Sequence, residues 1–87
     1  MKTIWKYPLE NKTEQTVLMP SGSKILTAQM QHDKITLWGI ATTDLPKVPR
    51  NIEILGTGHP SPEQVREYIG TVQDECEEVW HIFERIS

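Results

Sequence analysis

The sequence predicts an all-β domain: a small antiparallel sandwich or barrel of about six or seven strands, with at most one short helix near residues 62–66. Three observations carry this. Apolar and polar residues alternate with period two in most segments, as on a strand with one buried face. Clusters of Gly, Pro, Asn, Asp and Ser recur at short intervals and cut the chain into strand-sized pieces. The pieces between those cuts are rich in β-branched and aromatic residues.

Residues 1–9 alternate, with Thr3, Trp5, Tyr7 and Leu9 on one face and Lys2, Ile4 and Lys6 on the other; Pro8 ends the strand. Residues 10–15 are polar and aperiodic, a loop. Thr16-Val17-Leu18-Met19 is a short strand stopped by the turn signal Pro20-Ser21-Gly22-Ser23. Residues 24–31 place Leu26, Ala28 and Met30 on one face. Residues 34–41 place Ile35, Leu37, Gly39 and Ala41 on one face and Thr36, Trp38 and Ile40 on the other. His32-Asp33 joins the two as a hairpin, and Gly39 within the strand signals a bulge or a close backbone approach. Residues 42–49 contain Pro46 and Pro49, which argues for an ordered surface loop. Asn51-Ile52-Glu53-Ile54-Leu55 returns to a strand, and the dense breakers Gly56-Thr57-Gly58-His59-Pro60 follow.

The last third reads two ways. Ser61-Pro62-Glu63-Gln64 has the form of a helix capping box, and Val65, Tyr68, Ile69, Val72, Cys76, Val79, Trp80, Phe83 and Ile86 recur at helical spacing. Against this, Gly70 would cost about 1 kcal/mol inside a helix. Residues 67–73 and 79–83 are rich in β-formers and flank the polar run Asp74-Glu75-Cys76-Glu77-Glu78. Two strands joined by a turn at 74–78 are favoured, after a helical turn at 62–66. Trp5, Tyr7 and Phe83 are expected in the core. Trp38 and Trp80 are expected on the opposite faces, one of them at a subunit interface.

With 87 residues the chain makes one domain, residues 1–87. Its core is marginal at this size, so self-association would help it. No apolar run approaches the roughly 18 residues needed to span a bilayer. Met1-Lys2-Thr3 leads into an alternating segment and not an apolar h-region, so no signal peptide is expected. The single Cys76 has no partner for an intramolecular disulfide and suits a reducing compartment. The net charge of −3 is uneven. Residues 1–50 carry seven Lys/Arg against four Asp/Glu, or +3; residues 51–87 carry two against eight, or −6. Such a balance makes nucleic acid an unfavoured partner, because non-specific binding depends on clustered cations.

Several blocks carry a resemblance: the opening MKTIWKYPL (1–9), MPSGSKIL (19–26), Leu37-Trp38, Gly56-Thr57-Gly58-His59-Pro60, YIGTV (68–72) and VWHIFE (79–84). Together, in this order, they resemble a family of small phage and prophage proteins grouped as a domain of unknown function. In that family YIGT and the closing aromatic block are separated by a short link that often contains glycine, which favours the hairpin; here residues 74–78 contain none. The resemblance implies a phage origin and action in the host bacterial cytoplasm, and it implies no reaction.

The residues themselves mark no chemistry. Cys76, His81 and Glu84 are the only local candidates for a nucleophile, base and orienting group, and no flanking motif supports them. His32, His59, His81 and Cys76 lack zinc-site spacing, so no metal or other cofactor is expected. Gly56-Thr57-Gly58 can converge backbone amides into an anion-binding nest. Gly56, Thr57, Gly58, His59, Arg66 and Tyr68 are therefore the candidate ligand site, for a phosphate-bearing small molecule. Asp74, Glu75, Glu77 and Glu78, with Trp38, are the candidate partner-binding residues toward a host protein. The function expected is binding without catalysis: a phage accessory protein countering bacterial defence, by sequestering a nucleotide-type signal or blocking a defence protein. The alternatives are a virion or assembly component, or an interaction module with no such role.

Overall fold

The computed structural model describes residues 1–60 and 66–86. It is all β: β1 (Lys2–Pro8), β2 (Glu14–Pro20), β3 (Lys24–Gln31), β4 (Lys34–Thr42), β5 (Lys47–Gly56), β6 (Arg66–Gln73) and β7 (Val79–Arg85). All pairs are antiparallel. They form a three-stranded sheet, β1-β4-β3, and a four-stranded sheet, β2-β5-β7-β6. The two sheets face each other as a sandwich. They approach at one corner, where a Cβ on Gly70 of β6 would stand 3.7 Å from the Ala28 Cβ of β3. No ladder joins β3 to β6, so the barrel alternative is not realised.

Inward side chains from both sheets make the core: Leu9, Met19, Ala28, Leu37, Ile52, Ile54, Val72 and Ile82 are all buried. Burying each large side chain contributes about 1.5–3 kcal/mol. The hairpin at His32-Asp33 forms as the sequence indicates, with both residues in the left-handed region (φ 50° and 64°) that a two-residue turn of this hand requires. The last third is a β-hairpin and not a long helix. Of the helical turn expected at 62–66, residues 62–65 lie outside the described residues, and Arg66 opens β6.

Five expectations are corrected, for Pro49, Leu26, Phe83, Trp80 and Trp5. Pro49 lies inside β5, opposite Leu18 of β2, and not in a loop. β7 pairs with β5 only from Asn51 onward, so a residue without an N–H at 49 removes nothing from the β5–β7 ladder. In β3 a bulge between Ile25 and Thr27 shifts the register. Ile25 takes the inward place beside Gly39, and Leu26 is left 45% exposed. Gly39 is a close approach: a Cβ there would stand 3.3 Å from the Lys24 carbonyl oxygen. Phe83 is on the outer face of the four-stranded sheet, opposite Tyr68 and Glu53, and Trp80 takes the inward place in β7 beside Gly56 and Val72. Trp5 shares the inward parity of Tyr7 but lies on the edge strand β1 and stays 37% exposed.

Among the described residues three ion pairs tie the four-stranded sheet, and two of them, described next, are largely buried. On the inner face Arg50 pairs with Glu84 through Nε and through Nη2 (2.9 Å to Oε1), and its Nη1 donates to the Ser23 carbonyl at 2.7 Å. On the outer face Arg66 Nη1 donates to Glu53 Oε1 at 2.6 Å, with Glu53 only 1% exposed. The Arg66 guanidinium also lies 5.0 Å from the Phe83 ring centroid.

Candidate functional site: an acidic groove beside Trp80

The β3–β4 and β6–β7 turns are brought to one end of the sandwich, because β3 and β6 meet at its corner. The loop after β1 joins them there. Between them lies a cavity of about 540 Å³. Leu9, Met30, Ile35 and Trp80 make its apolar wall; Glu10, Asn11, Asp33, Lys34, Asp74 and Glu78 make its polar rim. A second hollow adjoins it across Met30, Asp33 and Asp74 and extends to His32, Gln73 and Glu75.

One side chain organises this end. Asp74 Oδ1 accepts the backbone N–H groups of Cys76 and Glu78, both at 2.9 Å, and its Oδ2 accepts the Trp80 indole N–H at 3.0 Å. The backbone closes the same turn: Asp74 and Glu78 are joined N–H to carbonyl at 3.0 Å, and the Glu77 N–H donates to the Asp74 carbonyl. Glu77 takes the left-handed conformation (φ 64°), the role a glycine would otherwise fill. The indole N–H first, then the Glu78 and Cys76 amides, hold the Asp74 carboxyl below the ordinary aspartate range.

The charge is one-sided. Glu10, Asp33, Asp74, Glu75, Glu77 and Glu78 gather here against Lys34 and Lys12, and Lys12 is engaged with Glu10 at 2.8 Å. Glu75 and Asp33, from different turns, come within hydrogen-bonding reach. That hydrogen bond and the Asp33 charge push the Glu75 carboxyl above its ordinary value. Two neighbouring carboxylates of like charge favour a cation between them.

The glycine turn is built differently from the expected nest. The Gly56 N–H donates to His59 Nδ1 at 3.2 Å, the Thr57 N–H to the Val79 carbonyl, and the His59 N–H to the Gly56 carbonyl. These three amides are therefore already engaged, two within the turn and that of Thr57 with β7. Gly58 supplies a positive φ of 90°. The His59 ring folds over Gly56, where a Cβ would stand 2.8 Å from its Cε1, and meets Trp80 edge-on at 6.3 Å. Thr57 Oγ1 lies 2.7 Å from His81 Nε2, while Thr71 Oγ1 lies 3.1 Å from His81 Nδ1 and 2.6 Å from the Tyr68 hydroxyl. So Thr57 and Tyr68 meet through His81 and Thr71 on the outer face, while Arg66 is held by Glu53.

Trp38 is half-buried on the outer face of the three-stranded sheet, away from the acidic turn. Cys76 is exposed in the β6–β7 turn, His81 is on the outer face and Glu84 on the inner face with Arg50, so the three are not assembled. Among the described residues no group of three or more His, Cys, Asp or Glu side chains is placed to hold a metal ion, and no helix is long and apolar enough to cross a membrane.

Of the acidic run named from the sequence, Asp74, Glu75 and Glu78 line these hollows and Glu77 does not, while Leu9, Glu10, Met30, Asp33 and Trp80 line them without having been named as site residues. The inward parity of Met30 and Ile35 at the end of a hairpin was the available signal for the apolar wall. Comparison with curated proteins and with solved structures yields no match. A family model does match, over residues 1–87, and on that match this chain belongs to the family described as a domain of unknown function, DUF7352.

Proposed function

We propose that this protein is a non-enzymatic binding module whose acidic groove receives a basic segment of a protein partner. The observation that carries the reading is the groove itself: an apolar wall at Trp80, Met30 and Ile35 under a rim of carboxylates, with Asp33 and Glu75 lining the adjoining hollow together. A lysine or arginine side chain entering there relieves the repulsion between those carboxylates, lays its alkyl stem on the apolar wall and places its cation beside an indole. Complementary charge also speeds the encounter. The alternative of a phosphate-bearing ligand at Gly56–Pro60 draws less support, since the amides of Gly56 and His59 donate within the turn and that of Thr57 to the Val79 carbonyl.

The family resemblance implies a phage origin and the host bacterial cytoplasm, and in that setting we take the partner to be a host defence protein that this accessory protein blocks. Isothermal titration with an arginine-rich peptide tests the binding step. Affinity should fall steeply with added salt. It should also fall when Glu75, Glu77 and Glu78 are converted to glutamines, with Asp74 kept because it builds the turn. Unchanged affinity in that variant would remove the proposal.

A further inference from the structure

The three-stranded sheet has an outer face that the function above leaves unused. None of the chain's 12 Asp and Glu residues lies in β1, β3 or β4, whereas Lys2, Lys6, Lys24 and Lys34 all do, and all four are exposed. The pairing fixes their arrangement. Lys2 stands opposite Thr42, Ile4 opposite Ile40, and Lys6 opposite Trp38. On the other side of β4, Lys24 stands opposite Ile40 and Thr27 opposite Trp38. Lys6 Nζ reaches across β4 to Gln31 Oε1 at 3.2 Å, which places both on this same face. Ile4, 57% exposed, Ile40 and Trp38 thus form an apolar strip framed by Lys2, Lys6 and Lys24, with Thr27 and Gln29 beside it. Asp44, near the end of this face, is paired with the N-terminal amine at 3.7 Å. Lys24 shares a groove with Glu67 and Glu84, and Lys34 belongs to the acidic rim. Lys2 and Lys6 are the cations at the centre of the inference.

We propose that this face binds single-stranded nucleic acid. Net charge argues against such binding for the chain as a whole, but the field that a strand meets is set by charges within about 10 Å at ordinary salt. The strands that make this face carry lysines and no carboxylate. An open sheet surface suits a single strand: bases stack on an aromatic ring, and lysines track the phosphates. An acidic protein segment would use the lysines without needing Trp38. The inference does not depend on the acidic groove, which is on a different surface.

The test is fluorescence anisotropy of a fluorescein-labelled oligothymidylate titrated with the full chain at low salt. Binding is expected, with a log–log salt slope of about −1.4, about −0.7 for each of Lys2 and Lys6. Trp38→Ala should weaken it about tenfold. The pair Lys2→Glu and Lys6→Glu, which leaves the core untouched, should abolish it, while Glu75→Gln should leave it unchanged. No binding at low salt, equal binding by the lysine variant, equal affinity for the duplex, or displacement by polyglutamate as effective as by unlabelled oligothymidylate would each overturn the proposal.

Discussion

Asp74 Oδ2 accepts the indole N–H of Trp80 at 3.0 Å, and this bond joins the β6–β7 turn to the wall of the groove. The other oxygen of the same carboxylate holds two amides of the turn. A single ionised group therefore fixes both the shape of the acidic turn and the attitude of the ring beside it.

The first consequence concerns pH. The Trp80 N–H and the Glu78 and Cys76 amides lower the Asp74 pKa in the folded state. A group depressed in this way contributes stability above its unfolded pKa and loses it as the pH falls through the folded value. The Trp80 indole N–H resonance should stay constant from neutral pH down to the ordinary aspartate range and shift only below it. Asp74→Asn should remove that low-pH transition, with a lower melting temperature at pH 7.

Glu53 and Arg66 make the second. Glu53 is 1% exposed and Arg66 10%, on the outer face of the four-stranded sheet. Removing one member of a buried pair leaves the other charge uncompensated, at a cost of about 3–5 kcal/mol. Arg66→Ala, which leaves the buried Glu53 carboxylate without this cation, should therefore lower stability in urea unfolding by about 3 kcal/mol, far more than Glu14→Ala, whose partner Arg85 meets it at a more exposed position.

Much of the fold was legible because alternation is a strong signal when one face is buried. Leu37 and Ala41 read correctly as inward, and the left-handed turn at His32-Asp33 as a hairpin. What failed depended on neighbours. Pro49 is tolerated because β7 ends at Arg85, opposite Asn51, Leu26 is turned out by a bulge opposite Gly39, and Phe83 is outward because Tyr68 and Arg66 wait for it there. The acidic turn was visible as a run of carboxylates. Its counterpart Asp33 was not, since the two turns meet only through the corner where β3 lies against Gly70 of β6.

Glu77 gives a third expectation. It holds a φ of 64° without being glycine, a conformation costing roughly 1–2 kcal/mol for a residue with a Cβ. Glu77→Gly should raise stability by about 1 kcal/mol, after the entropy that glycine adds to the unfolded chain. A fall in the melting temperature would show that the Glu77 side chain contributes more than its backbone conformation costs.

The most direct test of the account is an amide-resolved NMR titration of the protein with a short arginine-rich peptide. Shifts confined to Asp33, Asp74, Glu75, Glu78 and the Trp80 indole N–H are expected, fading as salt is raised. Shifts centred on Gly56, Thr57, Gly58 and His59, or none at any of these positions, would contradict a cation-receiving groove.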